Sequence, residues 1–188
     1  EVACAYRDEM KQRLGDAYTG QESFNFVLAY FTHIDSQGLT VLPIHRLVKL
    51  SARPDMPCVI KGLAEQFSVE EVRDRRRFFF LLAKAGTAEH SIGMYTGRKC
   101  WLVRLRNVKF LDRVMADKPA EYRSLDVAIL NSLVLEKVLG VDPQDKKSVT
   151  FSAQTEELRS AADSDDSHIC VFLNPTKVEQ IMALALKG

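Results

Sequence analysis

The sequence predicts an α+β fold: one domain over residues 1–188, with a mixed, mainly antiparallel sheet flanked by helices. Three observations predict it. Short alternating or continuous apolar runs recur between Phe24 and Leu173, as strands require. Stretches with apolar residues at three- and four-residue steps lie among them without strict alternation, which argues against a repeating βαβ pattern. At 188 residues, 46% hydrophobic and 27% charged, the chain suits a single core. A chain of this length buries roughly 70% of its unfolded surface without help from disulfides or metals.

Taken in order, Val2, Ala5, Tyr6, Met10 and Leu14 recur at helical steps, so residues 1–14 read as a helix. No capping residue precedes it, as expected of a chain cut from a longer one. Gly15 to Gly20 supplies a break. From Phe24 to Ile34 apolar residues fill both alternating faces, the pattern of a covered central strand. Asp35-Ser36-Gln37-Gly38 is a turn, and Leu39 to Ile44 completes a predicted hairpin. Pro57 is tolerated in the first turn of a helix reaching Gln66, and Phe67 to Val72 is a short edge strand.

Asp74 to Gly86 reads as a helix with a core stripe of Phe78, Leu81, Leu82 and Ala85, closed by glycine. Residues 90–96 and 100–106 form a hairpin around Thr96-Gly97-Arg98-Lys99. Residues 107–123 are charged and poorly periodic and read as a mobile connection. Leu125 to Leu139 is an amphipathic helix, Val149 to Ser152 a strand, and Thr155 to Ala162 a helix with acids in its first turn. Ile169 to Leu173 is a buried strand, and Asn174-Pro175 opens a last helix ending at Leu186.

Composition narrows the function classes. Net charge is +1, with 19 Lys/Arg against 14 Asp/Glu in residues 1–120 and 7 against 11 in the remainder. That asymmetry can steer an anion toward the first part, yet it falls short of a nucleic-acid footprint. Nothing reads as a signal peptide or a membrane span. Cys4, Cys58, Cys100 and Cys170 stand 54, 42 and 70 residues apart, which suits free thiols in a reducing cytoplasm and offers no zinc motif. His33, His90 and His168 have no sequence neighbours suited to metal binding, so no metal is expected.

Site candidates cluster where predicted strands end. His45 and Arg46 follow Pro43 at the end of the second strand. Arg46 can grip a phosphate or carboxylate bidentately, and His45 can act as base or donor. Adjacent strand residues face opposite sides, so both reach one ligand only if the strand bends. The alternative is a histidine satisfied by backbone and an arginine paired to a surface carboxylate. Asn174 and Thr176 follow a buried strand and could meet an anion at a helix start, or serve as an ordinary cap. Arg73, Arg75, Arg76 and Arg77 suit either phosphate contact or a solvated face paired with Glu70, Glu71 and Asp74.

The block Leu42-Pro43-Ile44-His45-Arg46-Leu47-Val48 resembles the DUF1015 family, bacterial and archaeal proteins carrying a domain of unknown function. Ala5-Tyr6-Arg7-Asp8-Glu9, Gly93-Met94-Tyr95-Thr96-Gly97 and Leu173-Asn174-Pro175-Thr176-Lys177-Val178-Glu179-Gln180 match in order. Leu125-Asp126-Val127 and Leu135 to Gly140 fit as well, so the resemblance runs nearly end to end. Members usually carry threonine where this chain has Ile44. The family's Ala-Asp-Gly-His-His-Arg-Tyr-Glu stretch would lie just before the chain, with Glu1 its last residue. A Lys/Ser/Thr/Tyr-rich segment would follow Gly188. The chain thus reads as a fragment.

That upstream stretch is similar to the motif of the ParB/sulfiredoxin-like superfamily, which includes nucleotide-using proteins and a free-serine kinase. The resemblance implies a nucleotide-dependent phosphotransferase to which this chain contributes part of a nucleotide or small-molecule site. His45 and Arg46, with Glu1, become the catalytic candidates, and Asn174, Thr176 and Tyr95 the ligand-binding ones. The base would lie mostly upstream, leaving the chain inactive alone. ATP or ADP with magnesium is the cofactor candidate. The rival reading is a non-catalytic ligand-sensing or protein-interaction module, and DNA association is a weaker third.

Overall fold

A computed structural model describes residues 2–33 and 40–187 of a chain that divides into two compact units, Glu1–Leu39 and Thr40–Gly188. In the first unit, helix α1 (Val2–Leu14) ends on Lys11 and Arg13, charges that suit the negative end of its dipole. The Glu22 carboxylate accepts from the Thr19 hydroxyl and from the Thr19 and Gly20 N–H groups. These bonds hold its pKa down at about 2.

The strand expected from Phe24 to Ile34 does not form in the described residues. Ser23–Asn25 is a 3-10 turn, and residues 26–33 are irregular, with Tyr30 90% and Phe31 91% exposed. An alternating apolar run becomes a strand only where a neighbour takes its N–H and C=O groups. Ile34, the predicted turn Asp35 to Gly38, and Leu39 lie outside the described residues.

The second unit is α+β. Its elements in order are β1 (His45–Lys49), α2 (Met56–Ala64), β2 (Phe67–Val72), α3 (Arg75–Ala85), β3 (Ser91–Thr96) and β4 (Lys99–Leu105). There follow α4 (Leu111–Val114), α5 (Ala120–Arg123), α6 (Asp126–Ile129), β5 (Val149–Ser152), α7 (Thr155–Ser164), β6 (His168–Phe172) and α8 (Val178–Ala185). The strands form one sheet in the order β2-β4-β3-β6-β1-β5. Every described pairing is antiparallel, so the sheet is not mixed. Residues 40–44, expected as strand, precede the ladder. Pro43 has no N–H to give it, and pairing with β5 starts at His45.

Each sheet face buries its own cluster. On one face Val48, Ile92, Met94, Trp101 and Val171 pack with Leu63 of α2 and with Ile129, Leu130 and Leu133. On the other, Leu102, Cys170 and Phe172 pack with Phe78 and Leu82 of α3 and Leu158 of α7. Gly93 makes the second packing possible. A Cβ there would stand 2.6 Å from Phe78 Cζ and 3.0 Å from Leu82 Cδ2. The β3–β4 turn puts Gly97 at φ 54° and Arg98 at φ 64°, the left-handed pair that a two-residue hairpin of matching twist requires.

Three further segments depart from the sequence pattern. Residues 107–123, expected as a mobile connection, wind into a 3-10 turn (Val108–Phe110) and α4 and α5, anchored by buried Leu111 and Met115. The expected helix from Leu125 to Leu139 starts as α6 and continues as a π-helix over Leu130–Val138. Helix α8 starts at Val178 rather than after Asn174. Pro175 biases its predecessor to extended backbone, and the Gln180 side chain reaches back to accept from the Lys177 N–H at 3.1 Å.

All four cysteines are free, Cys4 and Cys58 exposed, Cys100 and Cys170 buried. Among the described residues no helix is long and apolar enough to cross a membrane.

Candidate functional site

His45 and Arg46 are both buried, and the straight ladder of β1 sends them to opposite sheet faces. His45 lies with Phe172, ring centroids 5.2 Å apart and edge to face. Its Nδ1 accepts the Leu173 N–H at 3.2 Å. A backbone N–H can only donate, so the ring proton sits on Nε2. Burial first, and then the Arg46 charge, lower the His45 pKa below 6.5 and favour the neutral ring. Arg46 stacks over Phe151 at 4.9 Å and donates from Nη1 to the Ile44 carbonyl. Its Nε is buried without a partner, and burial lowers its pKa. These two residues do not converge on one ligand. Glu1, the further catalytic candidate, lies outside the described residues.

Asn174 ties three elements together at one end of the sheet. Its amide donates to the Leu82 carbonyl at 3.1 Å and to Ser91 Oγ at 3.2 Å, joining the end of α3, the start of β3 and the end of β6. Thr176 stands two residues on, at the wall of a cleft of about 310 Å³. The same cleft contains a pair that the sequence did not single out. His90, just before β3, places Nδ1 2.7 Å from Asp126 Oδ1, at the first residue of α6. A carboxylate only accepts, so in the neutral imidazole Nδ1 carries the proton and Nε2 is left as the acceptor. Both side chains remain about one-fifth exposed, 22% and 23%, so the pair is reachable from the cleft.

Local sequence explains each position but not their meeting. The backbone of His90 is held where its carbonyl accepts the Leu105 N–H at 3.0 Å, extending the β3–β4 ladder. Asp126 suits the positive end of a helix. Thirty-six positions separate the two residues. Lys177 brings a cation to the rim, where its Nζ donates to the Thr87 carbonyl at 3.3 Å. A histidine oriented by a carboxylate, beside a hydroxyl and an ammonium, can accept a proton from a bound hydroxyl or water. Among the described residues no three His, Cys, Asp or Glu side chains gather as a metal site would need.

Tyr95 lies at the other end of β3. Its hydroxyl donates to the Asp163 carboxylate, and burial, then that bond, raise its pKa. The sequence candidates therefore divide. Asn174 and Thr176 share the His90–Asp126 cleft, His45 braces Leu173 beside it, and Tyr95 belongs elsewhere.

A family model described as "Protein of unknown function (DUF1015)" matches residues 1–128, which include His45, His90 and Asp126. No curated protein and no solved structure matches the chain.

Proposed function

The chain belongs to the DUF1015 family, and from that premise we propose that its His90–Asp126 cleft is the acceptor side of a site for nucleotide-dependent phosphoryl transfer. One observation carries this reading: the 2.7 Å contact that orients His90 where Nε2 is free to accept a proton. In the proposed step an acceptor hydroxyl gives its proton to His90 Nε2 as its oxygen bonds to phosphorus. The bond from that phosphorus to the departing nucleoside diphosphate oxygen breaks. Asp126 holds the ring and offsets the charge it gains.

The resemblance to nucleotide-using relatives of the ParB/sulfiredoxin type supports the choice of donor, ATP with magnesium. With no described cluster suited to a metal, magnesium would arrive on the nucleotide's phosphates. A cleft of about 310 Å³ is at the small end for ligand sites, which favours a compact acceptor. His90, oriented by Asp126, offers a general base inside the chain. Free thiols on all four cysteines support action in the cytoplasm. A ligand-sensing module is the second reading, favoured because the Asn174 amide and Lys177 ammonium are already hydrogen-bonded internally.

The test incubates the chain with magnesium-ATP and a panel of amino alcohols, polyols and sugars, reading ADP. Acceptor-dependent ADP formation that falls about 10²–10⁴-fold in His90→Gln, with the melting temperature unchanged, is the expected result. ADP formation that is absent, or equal in His90→Gln, refutes the catalytic reading.

A further inference from the structure

A second concavity, of about 630 Å³, lies at the Tyr95 end of β3 and β4, with no lining residue in common with the His90 cleft. Four chain segments bring arginines to it. Arg73 follows β2, Arg75 and Arg76 occupy the first turn of α3, Arg98 tips the β3–β4 hairpin, and Arg159 comes from α7. Five arginines and two acids, Asp74 and Asp163, line it, and Arg159 is already paired with Asp163 and Glu156.

Asp163 and Glu156 both pair with Arg159, whose hydrogen bond, helped by the Arg75 charge, holds the Glu156 carboxyl below its usual range; the remaining acids are engaged by other groups. Glu70 pairs with Arg104 at 3.0 Å and Glu71 with Lys99 at 3.7 Å. Asp74 accepts the Arg77 N–H at 2.6 Å, and Asp163 takes Arg159 and the Tyr95 hydroxyl. Among the described residues the side chains of Arg73, Arg75, Arg76 and Arg98 make no ion pair or hydrogen bond. Arg75 and Arg76 also stand at the positive end of an 11-residue helix, where the dipole disfavours cations. Arg98 adopts φ 64°, which few residues other than glycine or asparagine take readily. Charge is thus concentrated against both electrostatics and backbone preference, on one wall of one hollow.

We infer that this hollow binds a compact phosphorylated small molecule carrying at least two phosphoryl groups, each gripped by guanidinium forks from a different segment. Arginine forks match the paired oxygens of a phosphoryl group, and two groups use charges that one cannot. The carboxylates on the wall and the overall charge of +1 disfavour an extended nucleic-acid backbone. The six residues of β3 set the two sites roughly 16–20 Å apart, too far for one transfer step. The ligand here is therefore an effector or a second substrate portion, independent of the His90 reading.

The test titrates the full chain with inorganic pyrophosphate by calorimetry, alongside Arg76→Gln, Arg98→Gly and His90→Gln. Glycine suits the Arg98 backbone, so Arg98→Gly keeps its melting temperature and reports on the guanidinium alone. Saturable binding, weakened about tenfold or more in each arginine variant and unchanged in His90→Gln, is the expected result. No saturable binding, or equal affinity in the arginine variants, overturns the site. A single-stranded oligonucleotide that binds more tightly than pyrophosphate, with a steeper salt dependence, overturns the small-molecule assignment.

Discussion

His45 lies in the Leu42–Val48 block that carries the resemblance, yet its surroundings make it a brace, and that can be measured. Replacing it with alanine removes the ring nitrogen that accepts the buried Leu173 N–H, a loss of about 1–3 kcal/mol. It also removes the ring packed edge-on against Phe172, a contact of about 0.5–1.5 kcal/mol beyond its area. Together these predict about 1.5–4.5 kcal/mol of destabilisation. For a chain of this length that lowers the melting temperature by roughly 3–18 °C. His45→Phe keeps an aromatic ring and loses only the acceptor, so it should account for about 1–3 kcal/mol of the effect.

Acid supplies an independent check. The folded pKa lies below the unfolded 6.5, so the unfolded chain binds the proton more readily. The stability that His45 contributes is complete above pH 6.5 and is lost as pH falls through the folded pKa. The gap between wild type and His45→Phe should therefore narrow on acidification below 6.5. Urea titrations at a series of pH values read both effects, through the midpoint at constant slope. The reasoning is refuted by a melting temperature within about 2 °C of wild type in His45→Ala. It is equally refuted by a gap that does not change with pH.

Two further substitutions probe the sheet. Gly93→Ala should destabilise by about 1–3 kcal/mol, because its Cβ meets Phe78 and Leu82 inside contact distance; an unchanged urea midpoint would contradict that packing. Arg46→Met should fall within about 1 kcal/mol of wild type, or above it, since a buried charge with an unpartnered Nε gives way to an apolar chain of similar length. A loss above about 3 kcal/mol in the same titration would show that the guanidinium is paired.

Much of the second unit was legible because its elements announce themselves locally. The Phe78, Leu82 and Ala85 spacing marks α3, and the Gly97-Arg98 turn flanked by apolar runs marks the β3–β4 hairpin. The acidic first turn of α7 and the apolar run of β6 do the same. Periodicity also misled. Phe24 to Ile34 has the pattern of a central strand, but a strand exists only with a partner, and local pattern cannot supply one. The Leu125–Leu139 stripe predicts burial correctly without revealing that its second half winds as a π-helix.

The candidate sites divide the same way. The sequence by itself determined the α+β class, the turn chemistry, the family, and Asn174 and Thr176 as residues at a strand end. Tertiary structure alone decided what those residues meet. Strand order inserts β6 between β3 and β1, setting Asn174 against Ser91 and His45 against Leu173. The 36-residue path from His90 to Asp126 closes only when α6 docks beside the β3–β4 hairpin. The arginines of α3 could have paired with neighbouring acids; strand register instead committed Glu70 and Glu71 to Arg104 and Lys99 across the ladder. Short-range periodicity is set by backbone geometry and burial, which a sequence carries locally. Which side chains end within 3 Å of one another depends on how distant strands pair and on which face each residue lands.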